Sequence, residues 1–364
     1  MRISRRRLLE GGAAGALLAA GATIGWPRAA LADEKLRLTV TAGHPVTLNW
    51  VRCLDEVLLP EFASAMAALP RPVQIEWNKA YGGTVAKLGA ESDALGSGIS
   101  DLGIVATIFE AGKFPLQQVS MQVPFTTNDI GVVSKAVAHA VDRIEPMNAA
   151  WKRAKCVPLS HVSVDGYQLM TTFPVRSVDD LAGKKILAPG PIANWLKGTG
   201  AIAVAGNLNT YYNDLQTGLA AGVIVSMTPA WPVKLHEVAP HITLVNFGAQ
   251  YTGSVAISES TLRRLPKGAA DAARLAGQAY AADFATTQTA LARSALENMA
   301  RAGAKVAEFP EPERQRWATM LPDLPGQWSR ELESRGMPAK AVVDAFLEGL
   351  EQQGVALPRN WRAG

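Results

Sequence analysis

Polar and apolar positions along the chain alternate between two periods. In "LRLTVTAGHP", Leu36, Leu38 and Val40 alternate with polar residues, the period of a half-buried strand. Over residues 47–59 Leu48, Val51, Leu54 and Leu58 recur at helical spacing, and Pro60 is expected to bend or end that helix. "PVQIEWN" returns to alternation, with Val73, Ile75 and Trp77 on one face. "GGTVAKLGAESDALGSG" predicts a helix entered through Gly82-Gly83, and "SDLGIVAT" a third, mostly buried strand. The rhythm continues with a helix over 129–153, a strand from Cys156 to Ser163 and another in "DGYQLMTT". Short strands follow at Lys185–Ala188, Ala201–Ala205 and Val223–Met227, with helices at about 191–199 and 209–220. "ITLVNFG" and "GSVAIS" read as the last strands. Residues 261–305, beyond Pro266-Lys267-Gly268, predict one or two long helices, and a Pro-interrupted helical tail completes the chain. Strands alternating with helices predict an α/β fold with largely parallel sheets. The 364 residues suggest about two domains.

Composition changes the picture at the N-terminus. "SRRRLLEGGAAGALLAAGATIGWPRAALA" has a basic start, an apolar Gly/Ala/Leu run and a small-x-small site at Ala30-Leu31-Ala32. The arginines after Ser4 predict a twin-arginine export signal, residues 1–32, cleaved before Asp33. Its removal takes five arginines and one glutamate. The 36 basic and 32 acidic residues then become 31 of each. A neutral mature chain gives no case for nucleic acid. No later apolar run is long enough to span a bilayer, so a soluble periplasmic protein is expected. Cys53 and Cys156, in a predicted helix and at a strand start, are expected to be two separate core residues rather than a disulfide.

Enzyme signatures are weak. "HEVAPH" spaces His236 and His241 five apart with Pro240 between them, which separates the rings that a zinc helix needs at i and i+4. There is no G-x-S-x-G elbow and no phosphate-binding loop. Asp179-Asp180 after Ser177 suit a capped helix start better than acid–base catalysis. No metal or cofactor is expected. An exported α/β chain without a catalytic set is most simply a binding protein. Its ligand should sit beyond the carboxyl ends of strands, between domains that close by a hinge.

"TAGHP", "EWNKAYGGTVAKLG", "SGISDLGIV", "KFPLQQVSMQVPF", "DDLAGKKILAPG" and "YYNDLQTGLAAGVIV" occur in an order and spacing that carry a resemblance. Over residues 36–350 the chain resembles the solute-binding subunits of tripartite ATP-independent periplasmic (TRAP) transporters, C4-dicarboxylate-binding type. The resemblance implies a two-domain periplasmic binding protein fold with a hinge and a long domain-crossing helix. Residues 33–163 with about 247–290 would form one domain, and 164–246 with about 291–364 the other. It also implies capture of a small organic acid, delivery to a two-subunit membrane permease and transport driven by an ion gradient. A periplasmic ligand sensor, or an enzyme with an unrecognised site, is the alternative.

The family usually grips the ligand carboxylate with an arginine in a "KIRVP"-like motif. Here the motif is Lys185-Ile186-Leu187-Ala188-Pro189, so Leu187 stands at that place. Tyr167 stands where sialic-acid-type members have a second arginine, and Val225, with Met227 near it, where the family has a ligand-holding asparagine. The strand-end loops instead carry aromatics and amides: His44, Tyr81, Asn194, Trp195, Tyr211 and Trp231, with Trp50, Trp77 and Tyr212 more suited to the core. The N–H groups of Gly82 and Gly83 are candidates for an anion cradle at a helix start, and Lys87, Lys197 or Arg52 for a charge brought in from elsewhere. An apolar, aromatic-walled pocket follows. Its expected ligand is a monocarboxylate with an apolar or aromatic body, because two buried anionic ends are hard to satisfy without fixed cations.

Overall fold

The computed structural model describes residues 34–362; the expected export signal lies outside them. Nine strands form one sheet: β1 (Glu34–Thr41), β2 (Val73–Ala80), β3 (Leu102–Val105), β4 (Cys156–Thr171), β5 (Lys185–Ala188), β6 (Ile202–Ala205), β7 (Gly222–Ser226), β8 (His241–Ser258) and β9 (Lys305–Glu308). Their order is β2-β1-β3-β8-β4-β7-β5-β6, with β9 beside β8. The short helices are α1 (Asn49–Cys53), α2 (Leu59–Ala67), α3 (Glu91–Gly96), α4 (Ile130–Arg143), α5 (Glu145–Arg153), α6 (Tyr211–Gln216), α7 (Met227–Ala230), α8 (Leu235–Val238) and α9 (Glu259–Arg264). The 33-residue α10 (Ala269–Arg301) follows, then α11 (Glu311–Met320), α12 (Leu324–Glu333) and α13 (Ala339–Gln352).

The sheet is mixed, not largely parallel. β1 pairs parallel with β2 and β3, and β5 with β6 and β7. Between these two parallel groups run β4 and β8, antiparallel to each other and to β7 and β3. Each reads as two strands in the sequence but is continuous, 16 and 18 residues long. The break is a change of register: the β4–β8 ladder shifts between Val164 and Tyr167 and again before Leu169. Asp165-Gly166 and Gly248, which look like punctuation, mark irregularities inside strands rather than turns.

Other differences are local. The helix expected from Gly82 does not form. Gly82, Gly83 and Gly89 adopt φ of 70°, 77° and 84°, which folds 82–89 into turns and leaves only α3 helical. Pro60 does not end its helix. It sits in the first turn of α2, after a π-helical stretch at Leu54–Leu58 that joins it to α1. The capped start expected at Ser177 forms, as a capping box with Asp180, and the element it opens is a 3-10 turn. Cys53 and Cys156 are free and buried. Among the described residues no helix is long and apolar enough to cross a membrane, and no cluster of His, Cys, Asp and Glu has metal-site geometry.

α10 packs across α1, α2, α7 and β4. It comes closest at Gly277, where a Cβ would collide with the carbonyl oxygen of Leu159. Ala272, Ala273 and Ala276 share that buried surface, so the approach is built from small residues.

Candidate ligand-binding site

The two parallel groups aim their carboxyl ends at one another across β4 and β8, and a cavity lies where they meet. His44 enters it from the loop after β1, and Trp50 from α1. Ile104, Ala106, Ile108 and Phe109 come from the end of β3 and beyond it, and Pro189 from the end of β5. Ile224, Val225 and Ser226 come from the end of β7. Val162, Val164 and Tyr167 of β4 and Thr252 and Gly253 of β8 line it next to the register shifts, and Tyr211 closes a side from α6. The cavity offers about 50 Å³ to the centres of water molecules, several times what one enclosed water needs. No Arg, Lys, Asp or Glu is among its lining residues.

Its polar atoms are few. His44 is 7% exposed, and its Nε2 is buried without a hydrogen-bond partner. Its ring meets Trp50 edge-on at 5.3 Å and Phe109 at 6.5 Å, and burial lowers its pKa from 6.5 to about 4. At neutral pH the imidazole is therefore uncharged. Tyr167 is buried, and desolvation, followed by nearby Asp165, pushes its hydroxyl up. Tyr211 donates to the carbonyl of Gly206 at 3.2 Å, and Thr252 to that of Val162 at 3.2 Å.

Behind the walls runs a chain of hydrogen bonds with one direction. Arg52 donates to Asn49 Oδ1 at 2.6 Å; Asn49 Nδ2 donates to Gln288 Oε1 at 2.8 Å; Gln288 Nε2 donates to Asp165 Oδ1 at 2.8 Å. The other carboxylate oxygen accepts the N–H groups of Met227 at 2.8 Å and Thr228 at 3.2 Å. Burial, the largest influence, holds the Asp165 pKa above the usual carboxylate value, and these donors offset part of that rise. Three N–H donors reach the two carboxylate oxygens, an arrangement that matches the ionised form. The chain ties α1, α10, β4 and α7 together beside Trp50 and Tyr167. The sequence reading missed Asp165 and Gln288, whose partners lie 123 positions apart.

Of the expected site residues, His44, Tyr167, Tyr211 and Val225 line the cavity, together with Trp50, which the sequence reading assigned to the core. The rest lie elsewhere. Leu187 is fully buried in a second apolar cluster with Tyr211 and Val223. Trp195 is also fully buried. Its indole N–H donates to Met121 O at 2.7 Å, and its ring stands edge-on to Tyr167 at 5.8 Å, so it backs the wall rather than forming it. Met227 is buried and offers Asp165 its N–H. Trp231 stacks on His236 at 4.9 Å. Asn194 and Lys197 face a separate outer groove with Gln122 and Trp328.

The anion cradle is corrected outright. Gly82 N–H donates to His44 O at 2.9 Å and Gly83 N–H to Ala42 O at 3.1 Å, so neither is free for a ligand, and no helix starts there. Tyr81 bonds Asp55 at 2.7 Å instead of reaching the cavity. The alternative clamps are no closer: Lys87 is exposed, and Arg52 is held by Glu56 at 2.8 Å and by Asn49.

Comparison with solved structures places the fold. A TRAP solute-binding protein from a marine metagenome, specific for aromatic acid ligands and crystallised with 3-hydroxybenzoate, superposes with a TM-score of 0.77 at 17% identity, over 88% of this chain and 99% of that one. A TRAP solute-binding protein from Rhodoferax ferrireducens T118, in complex with copurified benzoate, gives 0.76 at 16%, over 88% and 98%. A Bordetella pertussis extracytoplasmic solute receptor binding pyroglutamic acid gives 0.75 at 17%, over 85% and 99%. The two-domain periplasmic binding protein fold is therefore the fold of this chain. Residues 78–329 match the family model described as bacterial extracellular solute-binding protein, family 7, and the chain belongs to that family, the DctP family of solute-binding receptors.

Proposed function

We propose that this chain is the periplasmic receptor of a TRAP transporter, and that it captures a monocarboxylate with an apolar or aromatic body and hands it to a membrane permease without chemical change. The observation that carries the ligand class is the cavity: aliphatic and aromatic walls, a handful of neutral polar atoms and no fixed cation among the lining residues. One anionic end can be met by neutral donors, whereas a second, buried in the apolar part, would remain unpaired at a cost of several kcal/mol. The ligand body would gain about 25 cal/mol per Å² of apolar surface buried. Similar folds that bind 3-hydroxybenzoate, benzoate and pyroglutamate support the class.

β4 and β8 act as the hinge in this reading, because they change register at the cavity. Residues 33–163 with about 247–290 form one moving body, and 164–246 with about 291–364 the other. Export uses the twin-arginine signal, and mass spectrometry of the periplasmic protein should find an N-terminus near Asp33.

A thermal-shift panel tests the reading. Ligand at one hundred times its Kd adds about 2.7 kcal/mol to the stability of the folded state. Benzoate, 3-hydroxybenzoate or pyroglutamate should raise the unfolding midpoint by several degrees while succinate and malate leave it in place. A larger rise with the dicarboxylates would reverse the assignment, and turnover of any panel member would make the chain an enzyme.

A further inference from the structure

We propose that His44 is the group that holds the ligand's carboxylate, and that it takes up one proton from solvent as the ligand binds. The inference rests on the reading of the cavity as a carboxylate site and names the group and the regulation that reading leaves open.

An anion entering the cavity meets no guanidinium and no ammonium among the lining residues. His44 is the one lining side chain whose charge can change in the physiological range. It is more than nine-tenths buried, with Nε2 facing no protein partner. Its position is fixed from both sides: its carbonyl accepts from Gly82 N–H at 2.9 Å, and its ring is held between Trp50 and Phe109. A buried nitrogen left unsatisfied costs stability unless something fills its place.

Without ligand, burial keeps the ring neutral. A carboxylate arriving at Nε2 reverses the balance, since an opposite charge within a few ångströms favours the charged imidazole. The proton then sits on Nε2 and points at the carboxylate oxygen, and it returns to solvent when the ligand leaves. Charge is conserved inside the cavity: one anion and one proton enter together, and the filled site stays neutral.

The other titratable groups around His44 do not offer this. Tyr167 and Tyr211 face it across the cavity, and burial pushes both hydroxyls up, so they remain neutral donors. On the β2 side Tyr81 and Lys79 are both tied to Asp55, each at 2.7 Å. Behind the loop the Glu91 carboxyl group packs against Gly43 and accepts from Gly89 N–H at 2.8 Å, with its Oε1 unpartnered. Asp165 is saturated by its own donors. Burial already keeps Glu91 protonated at pH 6, so it has no proton to take up there, and Glu91→Gln serves as the control for His44.

Titration calorimetry of the mature chain with benzoate, in buffers of different ionisation enthalpy at pH 6, measures proton uptake directly. The wild type should take up close to one proton per ligand, and affinity should rise as pH falls from 7.5 to 5.5, approaching tenfold per unit where uptake is complete. His44→Gln should bind more weakly, with no uptake and a flat pH profile, while retaining a cooperative thermal transition. Glu91→Gln should keep the uptake. Benzoate binding without proton uptake, uptake that survives in His44→Gln, or uptake lost only in Glu91→Gln would each overturn the assignment. Binding of benzamide with no binding of benzoate, 3-hydroxybenzoate or pyroglutamate would overturn the carboxylate reading together with it.

Discussion

Replacing Asp165 with asparagine tests whether the buried hydrogen-bond chain behind the cavity has the direction its ends impose. A guanidinium only donates and an ionised carboxylate only accepts, so from Arg52 through Asn49 and Gln288 to Asp165 every amide is oriented by the two ends. The Asp165→Asn side chain keeps the shape but must donate through one side. If its carbonyl stays on the Met227 and Thr228 N–H groups, its NH₂ faces the NH₂ of Gln288. Turning Gln288 moves the conflict to Asn49, and turning Asn49 moves it to Arg52. Within the buried part of the chain one donor–donor contact persists, at about 1–3 kcal/mol; at the partly exposed Arg52 water relieves it only if that side chain gives up its bond to Asn49. Relief from burying a carboxylate charge offsets part of this, leaving a net loss of about 1.5 kcal/mol. At roughly 2 °C per kcal/mol for a chain of this length, the midpoint should fall by about 3 °C. Urea unfolding followed by tryptophan fluorescence, with an unchanged m-value, gives the free energy. A variant as stable as the wild type, or more so, would show that the Asp165 carboxyl already carries a proton and that the chain has no such direction.

Tyr167→Phe removes a buried hydroxyl from the cavity wall; if it donates to the carboxylate, benzoate affinity should drop about ten- to a hundredfold in calorimetry, and an unchanged Kd would take the hydroxyl out of the site. Gly277→Ala drives a methyl into the Leu159 carbonyl and should cost about 1–3 kcal/mol in denaturant unfolding; a neutral change would mean that α10 and β4 can separate freely. Burial, and then the charge of nearby Glu110, raises the Glu91 pKa from 4.5 to about 8. The stability tied to this raised carboxyl is fully present below about pH 4.5 and is lost as pH rises through 8. Glutamine mimics the neutral acid, so Glu91→Gln should gain on the wild type between about pH 5 and pH 8.5, and a difference independent of pH would refute the sign.

The strand–helix rhythm was legible wherever one face of an element is buried. Leu38 and Val40 in β1 and the apolar run of β3 announce themselves by period alone. The continuity of β4 and β8 was not legible, because Gly166 and Gly248 look like stops and only pairing across the sheet turns them into irregularities within a strand. The glycine pair after Tyr81 looks like a helix start because composition does not tell a left-handed turn from an N-terminus; its φ values decide. At the site, strand-end position points to His44 and Tyr211, and the family resemblance to Tyr167 and Val225; all four line the cavity. Neither the motif that points to Leu187 nor the turn that points to Trp195 says which face a side chain takes, and both turn into apolar clusters. Asp165 and Gln288 gave no local signal, since each is polar, isolated in sequence and satisfied only by distant partners.

A crystal structure of the mature chain with bound benzoate would show which group holds the carboxylate. The ring should lie among Ile104, Val164 and Val225, with the carboxylate at His44 Nε2 and no Arg or Lys nitrogen within about 4 Å, the reach of a salt bridge. A carboxylate clasped by an arginine or lysine, or seated on the Gly82-Gly83 turn, would contradict it.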